Sequence, residues 1–317
     1  MSDRSCQICL QPLQSGEMDI HPACCKKLFG SLQPPAFPYT WDQLNELAGK
    51  VIRQHVTVPG VQPKLSMHLE RSGKSRTSRL TLVGLAGDYI LKPPVALYPE
   101  MPELEHLTLC MARSFGIETE ECGLLSMEDG QRVFITRRMD RTQGGAKLHM
   151  EDLCQLTDRM TEQKYRGSME QVGRAVLRYC TNPLFDALRL FELTVFCFLT
   201  GNADMHLKNF SVLYAPDDEI RLAPAYDLLP TVLLLPEDQE ETALTLNGRK
   251  SKLEYSDFLQ FGAALHLTER QIENVLAKLK ERLDTGLTFI DQGLCSAEIK
   301  MRYRDLVLER ATRCQLR

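Results

Sequence analysis

The chain has 317 residues, of which 43% are hydrophobic and 25% are charged. These fractions are ordinary for a globular protein and exclude an intrinsically disordered or collagen-like chain. The 38 basic residues against 42 acidic ones give a formal net charge of −4, which argues against a protein that coats nucleic acid. The length favours about two domains, or one domain with two lobes.

The sequence lacks the signals of a membrane or exported protein. Its longest strongly apolar run, residues 190–200, is interrupted by Glu192 and falls short of the ~20 residues that span a bilayer. No apolar signal-peptide core follows Met1. We therefore expect a cytoplasmic protein that binds neither a membrane nor nucleic acid directly.

Four of the eleven cysteines lie within the first 25 residues. Cys6 and Cys9 form one closely spaced pair, and His21 and Cys24 form a second. Two such pairs suit a tetrahedral Zn²⁺ ion, and so short a segment needs a metal to fold. The pattern predicts a structural zinc site, with Cys25 competing against Cys24 for the fourth position. Free buried thiols are the alternative.

The rest of the chain is predicted to have a strand-rich part followed by a helix-rich part. Residues 31–60 carry four prolines around one short helix, 41–52. Alternating apolar residues then predict strands at 64–70, 80–83 and 89–91, a helix at 102–115 and a hairpin of 122–126 with 132–136. Helical periodicity dominates afterwards, at 150–157, 169–178, 185–199, 256–265, 268–283 and 297–314.

This order predicts an α+β fold with two lobes and a cleft between them. We divide the chain into four segments: a zinc-knuckle-like segment at 1–30, a connector at 31–60, a strand-rich N-lobe at 61–141 and a helical C-lobe at 142–317.

The sharpest feature of the sequence is a run rich in polar residues, 201–210, which directly follows the most apolar predicted helix. Asp204 and Asn209 have the Asp-x4-Asn spacing of a kinase catalytic loop, in which the Asp accepts the proton of the attacking hydroxyl and the Asn holds Mg²⁺. Asp227, on a later turn, is placed to complete the metal site, because carboxylate and amide oxygens suit Mg²⁺. Helix caps and turns are the alternative for such residues.

Two upstream features belong to the same pattern. Gly60 precedes the first strand, where a glycine lets backbone N–H groups approach phosphate. Lys92 ends an apolar strand, as the phosphate-binding lysine of kinases does. Either feature alone is common, and a solvated strand end is the alternative for Lys92. Their order before the Asp-x4-Asn loop predicts a kinase.

Five segments of the chain resemble the motifs of HipA-like serine/threonine kinases, the toxins of bacterial toxin–antitoxin systems. They are residues 60–64, 90–93, 138–141, 201–210 and 226–227. The resemblance covers about residues 55–310 and implies a two-lobed, kinase-like fold. It implies that Asp204 is the catalytic base with His206 beside it, and that Asn209 and Asp227 hold Mg²⁺. The ATP contacts that it implies come from Gly60, Val61, Gln62, Lys64, Lys92, Glu105, Arg137, Met139 and Asn209.

The chain is most similar to the short HipT branch of this family. That likeness implies HipS-like and HipB-like antitoxin partners and phosphorylation of an aminoacyl-tRNA synthetase, tryptophanyl or glutamyl, which halts translation. Two other function classes stay open: a pseudokinase that binds ATP without transfer, and a small-molecule kinase of the same fold.

One position departs from the family. In the family, an autophosphorylated serine lies three residues before the loop glycine. In this chain the residue three positions before Gly60 is Thr57, followed by Val58 and Pro59. Thr57 can still accept a phosphate, so it is the predicted autophosphorylation site. Pro59 fixes φ and removes a backbone donor from the loop.

Overall fold

The computed structural model describes residues 4–54, 62–71, 78–83, 87–142 and 144–317. The chain forms two compact units. Unit 1 contains Met1–Cys110, Glu120–Met139 and Gln292–Ser296, and unit 2 contains Met111–Thr119, Asp140–Asp291 and Ala297–Arg317. The first unit is rich in strands and the second in helices, which confirms the predicted fold class.

Unit 1 is built on a five-stranded antiparallel sheet with the order β2-β1-β3-β5-β4. In β1, Leu65, Met67 and Leu69 are buried and the residues between them are not, as their alternation predicts. Strand β3 is central and pairs with both β1 and β5. The strands are β1 Leu65–Arg71, β2 Ser78–Leu82, β3 Tyr89–Lys92, β4 Cys122–Ser126 and β5 Arg132–Arg137.

The N-terminal segment packs on this sheet and shares its core. Helix α1 (Pro22–Phe29) contributes Leu28, whose carbonyl accepts a hydrogen bond of 2.9 Å from the buried Tyr89 hydroxyl of β3. Gly123 of β4 lies against the segment so closely that a Cβ there would approach Ile8 to 2.8 Å. Helices α2 (Trp41–Gln54) and α3 (Met101–Ser114) follow, and α3 continues into unit 2.

Unit 2 surrounds the apolar helix α6, most of whose side chains are buried. Helices α5, α8 and α10 pack against it. A small antiparallel sheet, β6-β7-β8, completes the unit. The strands are β6 Met150–Asp152, β7 Ser211–Tyr214 and β8 Ile220–Leu222, and the helices are α4 Leu153–Leu156, α5 Met169–Tyr179, α6 Pro183–Thr200, α7 Thr231–Leu234, α8 Tyr255–Ala264, α9 Glu269–Gln292 and α10 Ala297–Arg313.

The prediction of one helix over 150–157 is wrong in its first half. Residues 150–152 pair with β7 as strand β6, and the helix begins only afterwards. Asp152 is its N-cap: the Asp152 carboxylate accepts from the Gln155 N–H at 3.0 Å, and the Gln155 side chain accepts from the Asp152 N–H at 2.8 Å. This reciprocal cap fixes the strand-to-helix junction.

Two other findings concern the apolar parts of the chain. Within the described ranges, no helix is both long enough and apolar enough to cross a bilayer. The cysteines outside the N-terminal group are all buried, where a thiol packs as a small hydrophobic side chain. They are Cys110, Cys122, Cys154, Cys180, Cys197, Cys295 and Cys314.

Gly286, in α9, tests how tightly unit 2 is packed. Alanine is favoured over glycine in a helix by ~1 kcal/mol, but a Cβ here would approach Cε2 of Phe115 to 2.4 Å. We expect Gly286→Ala to lower the free energy of unfolding by about 1–3 kcal/mol, because overpacking outweighs propensity. Chemical denaturation measures it, with the exposed neighbour Thr285→Ala as control. A more stable Gly286→Ala protein would contradict the packing.

Candidate active site

The C-terminus of α6 sets the position of the polar cluster in unit 2. Helix α6 ends at Gly201, which has a left-handed φ of 74° and donates to the carbonyls of Cys197 and Phe198. Arg310, buried on α10, donates a further hydrogen bond of 2.7 Å to the Phe198 carbonyl. A Cβ at Gly201 would approach Leu306 to 2.6 Å. Glycine suits this position because it adopts the left-handed φ without strain and because a Cβ would displace the Leu306 side chain.

The turn after Gly201 brings Asp204 and Asn209 together. The Asn209 side-chain amide donates to the Asp204 carbonyl at 2.9 Å, and the His206 N–H donates to the same carbonyl at 2.8 Å. A short 3₁₀ turn, Leu207–Asn209, places this pair directly before β7. Because Asn209 donates through its nitrogen, its Oδ1 remains available as a metal ligand.

Asp227 is joined to this turn by Asn202, whose role the sequence analysis missed. The Asn202 side chain accepts from the Asp204 N–H at 3.2 Å and donates to the Asp227 carbonyl at 3.5 Å. Asp227 has a left-handed φ of 52°. The preceding Tyr226 hydroxyl contacts Ser211 Oγ at 2.6 Å and donates to the Lys208 carbonyl at 2.9 Å.

His206 is enclosed in this turn. It is 6% exposed, and among the described residues its Nδ1 has no hydrogen-bond partner. Burial lowers the pKa of His206, while the Asp204 carboxylate acts in the opposite direction. Burial of this imidazole therefore disfavours a positive charge beside Asp204.

Tyr165 is a second residue that the sequence analysis missed. Its hydroxyl donates to Oδ1 of Asp204 at 2.9 Å, and its ring meets the His206 ring edge-on with centroids 5.2 Å apart. The two partners of the hydrogen bond are 39 residues apart in the chain. No spacing pattern indicates such a contact, so the sequence held no signal for it.

In unit 1, Lys92 and Glu105 form a buried ion pair. Their side chains are 5% and 3% exposed, and Nζ of Lys92 contacts Oε1 of Glu105. Lys92 ends the central strand β3 and Glu105 lies on α3. Nζ also lies 5.1 Å from the ring centroid of Phe134 on β5. Both residues are predicted ATP contacts, and the structure brings them together.

The other predicted nucleotide contacts in unit 1 divide into two groups. Gln62 donates to the Pro93 carbonyl at 3.0 Å, next to Lys92, and Lys64 is exposed just before β1. Arg137 ends β5, where its N–H already donates to the Glu121 carbonyl at 2.8 Å, and Met139 is the last residue of that stretch of unit 1. Gly60, Val61 and Thr57 lie outside the described residues.

The N-terminal Cys/His residues converge on one point. One ligand atom from each of Cys6, Cys9, His21 and Cys24 lies within 4.8 Å of every other. Nδ1 of His21 faces the sulfurs, 3.3 Å from Cys9 and 3.9 Å from Cys24. Its Nε2 lies 3.1 Å from the Pro12 carbonyl, which favours the tautomer that leaves Nδ1 free to bind a metal.

Cys25 stands apart from this group. It is fully buried in the core of unit 1, and burial raises the pKa of its thiol to about 11. Cys24 is the one of the two adjacent cysteines whose sulfur joins the cluster. Four protein ligands of this type suit a closed, structural zinc site.

Comparison with known proteins gives consistent matches. The family model described as the HipA-like C-terminal domain matches residues 56–287. A protein of Haemophilus influenzae named "Putative kinase" is 26% identical over 300 residues, covering 84% of each chain. "Putative kinase Y4mE" of Sinorhizobium fredii is 30% identical over 233 residues, which are 68% of this chain and 55% of that protein.

Two solved structures share the fold. HipA of Shewanella oneidensis, in a complex of HipA, HipB and operator DNA, superimposes with a TM-score of 0.69 at 20% identity, over 90% of this chain and 74% of that one. The Helicobacter pylori proinflammatory kinase CtkA gives a TM-score of 0.55 at 19% identity, over 79% of this chain and 93% of that one. These similarities establish a HipA-like and kinase-like fold.

The buried pair of unit 1 yields a stability prediction. Removing one partner of a buried pair leaves an uncompensated charge, so we expect Glu105→Ala to cost about 3–5 kcal/mol of unfolding free energy. Glu240→Ala is the control, because it breaks the more exposed pair with Lys250 and should cost less than ~1 kcal/mol. Denaturant titration compares them. Equal losses in the two variants would refute a desolvated Lys92–Glu105 pair.

Proposed function

The chain belongs to the family of HipA-like C-terminal domains, and on that premise we propose that it is an ATP-dependent serine/threonine-protein kinase and the toxin of a bacterial toxin–antitoxin system. The observation that carries this proposal is the turn after α6. This turn supplies the Asp204 carboxylate and the Asn209 amide oxygen, and hydrogen bonds of Asn202 join it to Asp227, which supplies a second carboxylate.

ATP and Mg²⁺ are the cofactors of the proposed reaction. Oδ1 of Asn209 and the Asp227 carboxylate are hard oxygen donors, which fits Mg²⁺. When bound, the ion neutralises charge on the phosphates. Lys92, held by Glu105, supplies a buried cation for the ATP phosphates, as does the strand lysine of kinases. The other ATP contacts that we propose are Gly60, Val61, Gln62, Lys64, Arg137 and Met139.

The transfer step assigns one role to Asp204. A substrate hydroxyl oxygen forms a bond to the γ-phosphorus of ATP, and the bond from that phosphorus to the β,γ-bridging oxygen breaks, so ADP leaves. The hydroxyl proton passes to the Asp204 carboxylate. His206, enclosed in the turn, helps to maintain its shape through the hydrogen bond from its N–H to the Asp204 carbonyl.

The proposed substrate and partners follow the HipT branch. The acceptor is a protein hydroxyl of an aminoacyl-tRNA synthetase, tryptophanyl or glutamyl, and its phosphorylation stops translation. HipS-like and HipB-like proteins are the proposed antitoxin partners. A complex of HipA with HipB and operator DNA exists for the Shewanella protein. Thr57 is the proposed autophosphorylation site.

Loss of Asp204 tests the kinase assignment. We expect Asp204→Ala to slow phosphoryl transfer by at least ~100-fold, because the proton acceptor is lost. The measurement is mass spectrometry of bacterial extract proteins and metabolites after incubation with each purified protein, γ-labelled ATP and Mg²⁺.

Asp217→Ala, at an exposed turn of the same unit, is the matched control and should transfer like the parent. Label in Asp204→Ala equal to that in the parent would exclude Asp204 as the base. Label in a small molecule instead of a protein would establish a small-molecule kinase, and no transfer by the parent would indicate a pseudokinase.

The second cofactor that we propose is a structural zinc ion held by Cys6, Cys9, His21 and Cys24. Their convergence and the tautomer favoured at His21 support it. Leu10, directly after Cys9, is fully buried with a left-handed φ of 61°, which costs a non-glycine residue about 1–2 kcal/mol. Metal binding would offset this cost.

Metal content tests the zinc site. We expect about one zinc per chain after purification under reducing conditions without chelator. Cys24→Ser should lose the metal, whereas Cys25→Ser should retain it, because the Cys25 thiol lies in the core. Elemental analysis distinguishes them. Absence of zinc from the parent, or equal loss in both variants, would reject this ligand set.

A further inference from the structure

Lys164 and Tyr165 reach the proposed catalytic base from a separate loop. They follow the 3₁₀ turn Thr161–Gln163, and the Tyr165 hydroxyl donates to Oδ1 of Asp204. We propose that Tyr165 is a positioning residue that orients Asp204, and that Lys164 binds the phosphoryl group during transfer. The inference rests on the proposed kinase function.

Backbone contacts fix this loop on both sides of the pair. The Lys164 carbonyl accepts from the Leu207 N–H at 3.1 Å, which ties it to the turn that carries Asp204 and Asn209. The Gly167 carbonyl accepts from the N–H and the hydroxyl of Thr245, both at 3.3 Å. Tyr165 itself is 47% exposed, so these contacts, not core packing, hold its hydroxyl in place.

The Tyr165 hydroxyl is chemically suited to orient a base without replacing it. Burial and the Asp204 charge raise the pKa of Tyr165, so the phenol remains a protonated donor. It engages Oδ1 of Asp204 and leaves Oδ2 to accept the proton of the substrate hydroxyl. A carboxylate fixed at one oxygen cannot rotate out of line, and such misplacement costs up to ~100-fold in rate.

Lys164 supplies a positive charge at the same place. Its Nζ lies 4.9 Å from the Tyr165 ring centroid, and none of the described carboxylates pairs with it. The pKa of His206 is lowered mainly by burial of its ring, and the positive charge of Lys164 lowers it further. Lys164 is therefore close enough to act electrostatically on this turn. A cation without a carboxylate partner can stabilise the charge on the phosphoryl oxygens while the hydroxyl oxygen bonds to phosphorus and ADP departs.

The test separates binding from transfer in four variants. Tyr165→Phe removes the hydroxyl alone, and Lys164→Met and Lys164→Arg remove or keep the charge. Tyr179→Phe is the matched control, because its hydroxyl donates to the Leu156 carbonyl within the same unit and does not contact Asp204. Each protein is measured for Mg·ATP affinity by calorimetry, for unfolding temperature, and for transfer of labelled phosphate to extract proteins at saturating ATP.

We expect Tyr165→Phe to slow transfer about 10- to 100-fold while the ATP dissociation constant and unfolding temperature stay near those of Tyr179→Phe. Lys164→Met should slow transfer about 100-fold, and Lys164→Arg should restore most of it. Transfer by Tyr165→Phe at the rate of Tyr179→Phe, or equal loss in Lys164→Met and Lys164→Arg, would overturn the inference. If Asp204→Ala also transfers like the parent, the kinase assignment itself fails.

Discussion

The buried pair of Lys92 and Glu105 is the interaction on which the organisation of unit 1 depends. Removing two charges from water costs several kcal/mol per ion, which attraction between them repays only when their geometry is held. One charge is carried by the central strand β3 and the other by helix α3, so strand and helix must keep a fixed spacing. The sheet fixes β3 through ladders on both sides, but α3 needs a separate support.

The N-terminal segment provides that support. Within the Cys6–Cys9 turn, the Ile8 carbonyl accepts from Nε2 of His106 at 3.0 Å and from the Cys110 thiol at 3.5 Å, both on α3. The neighbouring Gln7 carbonyl accepts from the Leu124 N–H of β4 at 2.8 Å. His106 is adjacent to Glu105, so a zinc ion that orders this turn would also stabilise the helix that presents Glu105. The segment is thus an integral part of the core of unit 1.

The sequence predicts what depends on local pattern. The alternation in β1, the hairpin of β4 and β5 and the periodicity of α5 each follow from neighbouring residues, and the structure has all of them. Strands β7 and β8 have four and three residues, too short to show a period, and residues 150–152 become a strand only because β7 pairs with them. Contacts between residues distant in the sequence, such as those of Asn202 with Asp227 or of Tyr165 with Asp204, are not indicated by any spacing of residues.

An Asp-x4-Asn pair alone is weak evidence for catalysis, because contacts with residues distant in the sequence determine its geometry. In this chain the turn owes its shape to residues outside it. Arg310 donates to the Phe198 carbonyl near the end of α6, the Thr231 hydroxyl accepts from the Ala203 N–H at 3.0 Å, and the Tyr226 hydroxyl donates to the Lys208 carbonyl. Asp227 adopts a left-handed φ, and the Asn202 side-chain amide donates a hydrogen bond to its carbonyl. The geometry of the site is therefore a property of the whole packed unit. Asp204 and Asn209 therefore indicate a kinase site only in combination with Lys92 on its strand, Gly201 after α6 and the later Asp227.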